Sequence, residues 1–138
     1  MAIIKSYTDI EQSKKLAEIL PPESADMIYI KHATSSNLNW RFDDDIPPMI
    51  LGKTSIKDMT VEVLPCWSLA ALLEQLHYEL CDDDGNPSYL KMNKEDDIYQ
   101  LVYTDPYGEF ENIETDRYEH FVDACYEMIL KLKELNLL

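Results

Sequence analysis

The sequence predicts an α+β domain in which a small antiparallel sheet packs against about three amphipathic helices. Three segments repeat apolar residues at helical spacing, and short segments between them combine strand-forming residues with turn-forming ends. The order of helix, strands, helix, hairpin and helix is typical of the α+β class. The length of 138 residues fits one domain over residues 1–138 that buries a core without disulfides.

The first helix is predicted over residues 9–20. Thr8 and Glu11 have the spacing of a capping box, in which each side chain bonds a backbone amide at the helix start. Pro21 and Pro22 end the helix because proline has no amide hydrogen to donate. The apolar face of this helix is formed by four residues: Ile10, Leu16, Ala17 and Leu20.

A second helix is predicted from the Ser68 cap to roughly Leu80, since leucine recurs there every three or four residues. A third is predicted over residues 116–135, with Thr115 as its cap and with Lys131 and Lys133 complementing the helix dipole at its end. The apolar stripe of the third helix has eight members: Tyr118, Phe121, Val122, Cys125, Met128, Ile129, Leu132 and Leu135.

Strands are predicted between these helices. Met27–His32 is short, apolar and rich in strand formers, and residues 39–42 follow a polar turn that lets them pair with it. Residues 89–92 and Ile98–Thr104 flank a charged tip, which predicts an antiparallel hairpin, and residues 110–113 are predicted to add a third strand.

The segment from 43 to 64 gives no clear pattern, because Pro47, Pro48 and Gly52 interrupt it. Residues 59–64 are predicted as an edge strand.

The net charge of −15, from 27 acidic and 12 basic side chains, restricts the partners of this chain. An acidic surface repels nucleic-acid phosphates and anionic lipid, and the basic residues are scattered rather than clustered. The sequence therefore predicts no direct nucleic-acid binding and no membrane association. It favours a protein partner, and it leaves the oligomeric state open.

The three cysteines and the apolar runs indicate a cytoplasmic protein. Cys66, Cys81 and Cys125 are odd in number and lack zinc-ligand spacing, which argues against a disulfide framework and a structural metal. The longest apolar run, 69–73, is far shorter than the ~20 residues that span a bilayer. Residues 1–7 lack the apolar run of a signal peptide.

Three strings resemble a family of short uncharacterised proteins of gut bacteria that are often linked to prophages and conjugative elements. They are EQSKKLAEIL (11–20) followed by PESADM (22–27), PCWSLAALL (65–73), and VDACYEMIL (122–130) with the residues that follow it to 138. The resemblance implies that three helices form the shared scaffold, and it carries no activity. The sequence departs from the family pattern at His77 and Tyr78, where a Leu-Pro pair is expected.

A catalytic cysteine is the remote alternative. Each thiol could in principle pair with a histidine, and Cys66 is predicted to lie at a helix start, where backbone amides lower a thiol pKa. Cys125 lies on the apolar stripe, where it is expected to pack as a small hydrophobe. The base candidates are His32, His77 and His120, and no Gly-rich oxyanion loop accompanies them.

Two acidic runs are the candidate metal sites. In residues 81–87, aligning Gly85 with the glycine of an EF-hand loop places Leu80 and Lys91 where acidic ligands are required, so a polar turn is favoured. Residues 43–45 are three adjacent aspartates and are interpreted as a solvated loop. The sequence therefore predicts no metal, no cofactor and no catalytic residue, and it predicts that both acidic loops are solvated and mobile.

The aromatic residues give one structural prediction and one open choice. Trp67 precedes the Ser68 cap and is predicted to pack in the core. Trp40, Tyr29 and Phe42 form either an exposed aromatic patch or a cover for the sheet.

The preferred function is a non-enzymatic, protein-binding accessory factor of a mobile element or its host. The alternative is a DNA mimic, whose carboxylates imitate phosphates and occupy a nucleic-acid-binding protein.

Overall fold

The computed structural model describes residues 4–32, 40–43, 52–56, 59–107 and 111–138. Within them the α+β prediction is confirmed, with helices and two antiparallel four-stranded sheets. The helices are α1 (Ile10–Ala17), α2 (Leu69–Glu74) and α3 (Phe121–Glu134), and a 3-10 turn covers Pro22–Ser24. The strands are β1 (Met27–His32), β2 (Arg41–Asp43), β3 (Gly52–Ile56), β4 (Met59–Cys66), β5 (Glu79–Cys81), β6 (Pro87–Glu95), β7 (Ile98–Thr104) and β8 (Glu111–Glu114).

The chain divides into two compact units, each containing one sheet. The N-terminal unit is Tyr7–Ala71, and the C-terminal unit is Leu72–Leu138 together with the residues before Tyr7. The single-domain organisation over residues 1–138 stays a prediction.

The N-terminal unit is a sheet of order β2-β1-β4-β3 with α1 packed against β4. The predicted strand Met27–His32 is confirmed, and so is its pairing with the segment around Phe42, which lies opposite Tyr29. A small core forms around Tyr29, Leu64 and Cys66. This core brings together residues from β1 and β4, which are distant in sequence.

The edge position predicted for residues 59–64 is wrong, because β4 lies between β1 and β3. Pro65 is nevertheless tolerated in this strand. The pairing of β3 with β4 ends at Val63, so Pro65 faces a strand on the β1 side only, opposite Ile28. A proline that lacks an amide hydrogen fits a position with one unpaired side.

The capping box of α1 is present but lies one residue later than predicted. Asp9 Oδ1 accepts from Gln12 N at 2.8 Å, and Gln12 Oε1 accepts from Asp9 N at 3.1 Å. Thr8 does not cap the helix because its side chain is buried, with Oγ1 2.8 Å from Ser13 Oγ. The helix also ends earlier than predicted, at Ala17.

α2 is shorter than predicted. Ser68 does cap it, since Ala71 N donates to Ser68 Oγ at 3.2 Å. The helix ends at Glu74 rather than near Leu80, because Leu80 belongs to β5 and pairs with Ser88 of β6. Strand pairing thus determines where the leucine repeat stops being helical.

The C-terminal unit is a sheet of order β5-β6-β7-β8 with α3 packed against β7. The predicted hairpin is confirmed, and its strands extend further than expected into the charged tip. Asp96 and Asp97 form the two-residue connection, with φ of 49° and 64°. Two successive left-handed residues are typical of a type I′ turn, which suits the twist of paired strands. The strand predicted after the hairpin is confirmed as β8.

α3 begins at Phe121 rather than at Asp116, because the preceding residues bond to β7. Thr115 is no cap: its Oγ1 accepts from Leu101 N at 3.1 Å, and its own amide donates to Leu101 O at 3.0 Å. Tyr118 and Tyr99 exchange two backbone hydrogen bonds of 2.7 and 2.8 Å. The backbone groups of Thr115 and Tyr118 thus find their hydrogen-bond partners in β7, and the helix does not extend over these residues.

The stripe of α3 forms the core of the C-terminal unit along most of its length. Its fully buried members are Val122, Cys125, Met128, Ile129 and Leu132. Leu135 is an exception, because it lies at the C-cap and is half exposed. Asn136 follows with a left-handed φ of 57°, and Leu137 N bonds to Leu132 O at 2.8 Å, which is the arrangement of a Schellman motif.

Candidate functional site

Cys66 is a buried residue of β4 and does not lie at a helix start. Burial raises the pKa of its thiol to about 11, which is opposite to the lowering expected from helix amides. The Sγ atom lies 3.5 Å from Thr8 O and 3.7 Å from Thr8 Oγ1. Among the side chains that the structure describes, the hydrogen bonds of this thiol go to Thr8 and other hydroxyl groups and not to an imidazole.

The other thiols differ from each other in exposure. Cys125 is buried in α3, where burial raises its pKa to about 12, so its predicted packing as a small hydrophobe is confirmed. Cys81 is exposed on β5, with Sγ 3.8 Å from Glu79 Oε1. Of the histidines, His77 is exposed and His120 is half-buried at the start of α3, while the side chain of His32 lies outside the described residues.

We expect Cys81 alone to react with iodoacetamide at pH 8 in the folded protein. Cys66 and Cys125 are both buried, and their raised pKa values reduce the thiolate fraction that carries the reaction. Mass spectrometry of tryptic peptides should find one alkylated site without denaturant and three sites in guanidinium. Labelling of Cys66 at the rate of Cys81 would contradict the burial of β4.

The acidic run 81–87 forms a closed polar turn, as predicted. Asp82 Oδ1 accepts from Asp84 N at 3.0 Å and from Asn86 N at 2.8 Å, and Gly85 takes the left-handed φ of +81°. The hydrogen bonds from Asn86 hold the pKa of Asp82 below its usual value. The carboxylate of Asp82 thus caps its own loop.

Within the described ranges, no group of three or more Cys, His, Asp or Glu side chains is arranged to hold a metal ion. The second acidic run, 43–45, lies outside the described residues except for the backbone of Asp43, which ends β2. The solvation predicted for the run 82–84 is confirmed, since all three aspartates are exposed.

The aromatic residues of the N-terminal unit cover its sheet. The rings of Phe42 and Tyr7 stack with centroids 4.4 Å apart, and Tyr29 contacts both edge-on. Trp40 packs on the same cluster, and Lys31 Nζ lies 4.9 Å from the centroid of its ring. The two interpretations left open by the sequence each hold in part, because Tyr29 is buried and Trp40 is half-buried while Phe42 stays exposed. Trp67 is fully buried, so its predicted core position is confirmed.

The C-terminal unit contains a groove of about 770 Å³, which we call the acidic groove. It is formed by β5, the start of β6, the segment after β7, β8 and the residues after α3. Its apolar side chains include Leu80, Pro106, Tyr107, Ile113, Leu135 and Leu137. Tyr107 is 84% exposed and Leu135 is 54% exposed, so both present apolar surface that the described residues leave uncovered.

The charged side chains of the acidic groove all have the same sign. Asp82, Asp83 and Asp105 line it, and among the described residues no lysine, arginine or histidine does. Apolar surface beside several carboxylates favours a ligand that is itself apolar and basic. The groove therefore has a chemical preference that can be tested.

A smaller pocket of about 440 Å³ adjoins the acidic groove and shares Asp105, Pro106 and Tyr107 with it. We call it the tyrosine pocket, because Tyr78, Tyr89 and Tyr107 line it. The rings of Tyr78 and Tyr89 lie 5.6 Å apart and are tilted by 47°. Tyr78 is 71% exposed.

A third cavity, of about 1000 Å³, lies beside the tip of the β6–β7 hairpin. Lys94 and Arg117 line it together with four carboxylates, those of Glu95, Asp96, Glu114 and Asp116. Its charges are mixed and its lining is mostly polar, so it has a weaker preference for a ligand than the acidic groove.

Sequence reasoning did not identify the acidic groove. Its members come from β5, the turn 82–86 and the start of β6, from the segment after β7, from β8 and from the residues after α3. The one local signal was Asp105-Pro106-Tyr107, where a large aromatic residue follows two turn formers.

In the part of the chain that the structure describes, the helices are too short or too polar to cross a bilayer. No family model, curated protein or solved structure matches the chain. The resemblance to prophage- and conjugative-element-associated proteins therefore stays a prediction.

Proposed function

We propose that this chain is a non-enzymatic accessory factor of a mobile element or its host, and that it works by binding another protein. The acidic groove is the docking site, and its occupant is a basic amphipathic segment of the partner. One observation carries the proposal: exposed apolar side chains lie beside three carboxylates and no cation among the described lining residues.

The chemistry of the groove determines the occupant. Apolar side chains of the partner would cover Tyr107 and Leu135, whose burial is worth roughly 1.5–3 kcal/mol for each side chain that becomes fully enclosed. Lysine or arginine beside them would face Asp83 and Asp105. The net charge of −15 would also speed the approach of a basic partner at low salt.

The test uses two synthetic peptides with the same leucine spacing, one carrying arginine and one carrying glutamate between the leucines. We expect the arginine peptide alone to shift the amide resonances of residues 80–88, 105–107 and 135–137 in a nitrogen–proton correlation spectrum. Its affinity should fall as salt rises to 0.5 M, because exposed charges are screened. Equal binding of both peptides would overturn the proposal.

Matched variants show where the peptide binds. Tyr107→Ser with Leu135→Ser should weaken the arginine peptide by at least about tenfold, which is the effect of losing only part of the apolar contact of both side chains. Met92→Ser, at an exposed residue outside the groove, should leave affinity unchanged. Asp83→Asn with Asp105→Asn should weaken binding more than Glu95→Gln with Asp96→Asn, which removes the same charge elsewhere. Capture of a cellular protein supports the proposal only if the groove variant loses it and Met92→Ser retains it.

A further inference from the structure

We infer that the tyrosine pocket receives an arginine side chain of the same partner segment that occupies the acidic groove. This inference rests on the proposed function and names the residue that anchors the partner. The guanidinium would lie against the tyrosine rings that line the pocket, those of Tyr78, Tyr89 and Tyr107, and Asp105 would supply the opposite charge.

The exposure of the aromatic rings is the first support. A tyrosine ring carries a large apolar area, and core or interface positions normally bury it. Tyr107 and Tyr78 are among the most exposed large hydrophobic residues of the described ranges. Both line one cavity with the half-buried Tyr89, so a ligand there would contact three aromatic groups at once.

Cation–π attraction selects the type of ligand. The face of an aromatic ring attracts a cation within about 6 Å of its centroid, and arginine forms such pairs more often than lysine. The volume of about 440 Å³ is ample for a planar guanidinium. Asp105, which also lines the acidic groove, connects the two sites, so one extended segment can reach both.

Lys91 also lines the tyrosine pocket, and a variant at this position tests the sign of the charge that the pocket prefers. Its side chain is exposed, and its charge opposes the entry of a second cation. Arginine is favoured over lysine in such a setting because its guanidinium is more weakly hydrated and stacks flat on a ring. If the pocket instead received a carboxylate, Lys91 would be the attractive group.

The experiment titrates the full chain with N-acetyl-arginine amide and with N-acetyl-citrulline amide, its neutral analogue of similar shape. We expect the arginine probe to shift the amide resonances of residues 78, 89 and 107 and to bind about two- to fivefold more tightly than citrulline. Tyr107→Phe should retain this preference, because phenylalanine keeps the aromatic face, whereas Tyr107→Leu should reduce it.

The variants at the charged positions decide between a cation and an anion. Lys91→Gln should strengthen binding of the arginine probe, and Asp105→Asn should weaken it. Equal affinities for arginine and citrulline, or weaker arginine binding in Lys91→Gln, would overturn the inference. If the arginine-leucine peptide still binds the acidic groove in that case, the proposed function stands without this anchor. If the peptide does not bind while the arginine probe does, the proposed function fails and the pocket remains a guanidinium site.

Discussion

Trp67→Ala is expected to lower the free energy of unfolding by about 3–5 kcal/mol. The side chain is fully buried, and its Nε1 donates to Ser24 Oγ at 2.9 Å. Alanine would remove the largest buried side chain of the described residues and leave a cavity that the surrounding residues fill only in part. Guanidinium unfolding followed by far-ultraviolet circular dichroism measures the change without relying on tryptophan emission.

Two controls keep this prediction testable if Trp67→Ala does not fold. Trp67→Phe retains most of the apolar volume but cannot donate to Ser24, so it should cost about 1–2 kcal/mol. Trp40→Phe changes a half-buried ring and should cost less than Trp67→Ala. A Trp67→Ala protein that unfolds within about 1 kcal/mol of the wild type would contradict the core position of this residue.

Thr8→Val is expected to cost roughly 2–4 kcal/mol, because two buried polar groups lose a partner. Thr8 Oγ1 accepts from Trp67 N at 3.2 Å and lies 2.8 Å from Ser13 Oγ. Valine has nearly the same shape but no hydroxyl, so both groups would be left buried and unsatisfied. The carbonyl of Thr8 keeps its bond from Tyr29 OH at 2.6 Å, which confines the effect to the side chain.

Thr8→Ser distinguishes the contribution of the hydroxyl to stability from that of the methyl group. Serine keeps the hydrogen bonds and loses one methyl, so the loss should be about 1 kcal/mol. In a double-mutant cycle with Ser13→Ala, the cost of Thr8→Val should be smaller when Ser13 no longer needs a partner. Equal stability of the valine and wild-type proteins in urea would show that the hydroxyl network does not contribute.

The position of Thr8 shows why the sequence alone misplaces a cap. Thr8 with Glu11 and Asp9 with Gln12 are both acceptable capping pairs, and local spacing does not separate them. The choice depends on Cys66 and Trp67 of β4 and its continuation, which bring a thiol and an amide to Thr8 and hold its side chain inside. A contact across 58 residues is invisible to a local pattern.

The acidic groove also depends on contacts between distant residues that local sequence patterns do not show. The sequence predicts a solvated turn for the run that supplies Asp82 and Asp83, and these residues do form such a turn. The apolar half of the groove depends on Leu135, which the helical repeat assigned to the core. Only the end of α3 at Glu134 and the left-handed Asn136 leave Leu135 and Leu137 lining the groove.

The sequence by itself determined the features that depend on short-range periodicity and composition. These are the α+β class, the strand Met27–His32, the β6–β7 hairpin, the buried stripe of α3 and the acidic character of the surface. Each depends on residues that are only a few positions apart, so side-chain spacing and turn-forming residues indicate it directly. The tertiary structure alone decided the rest: the start of α3, the end of α2, the central place of β4, the burial of Cys66 and the assembly of the groove. These features depend on hydrogen bonds and contacts between residues that are distant in sequence. Such contacts override local helix and cap preferences, because a buried amide needs a hydrogen-bond partner and takes the one that the fold provides.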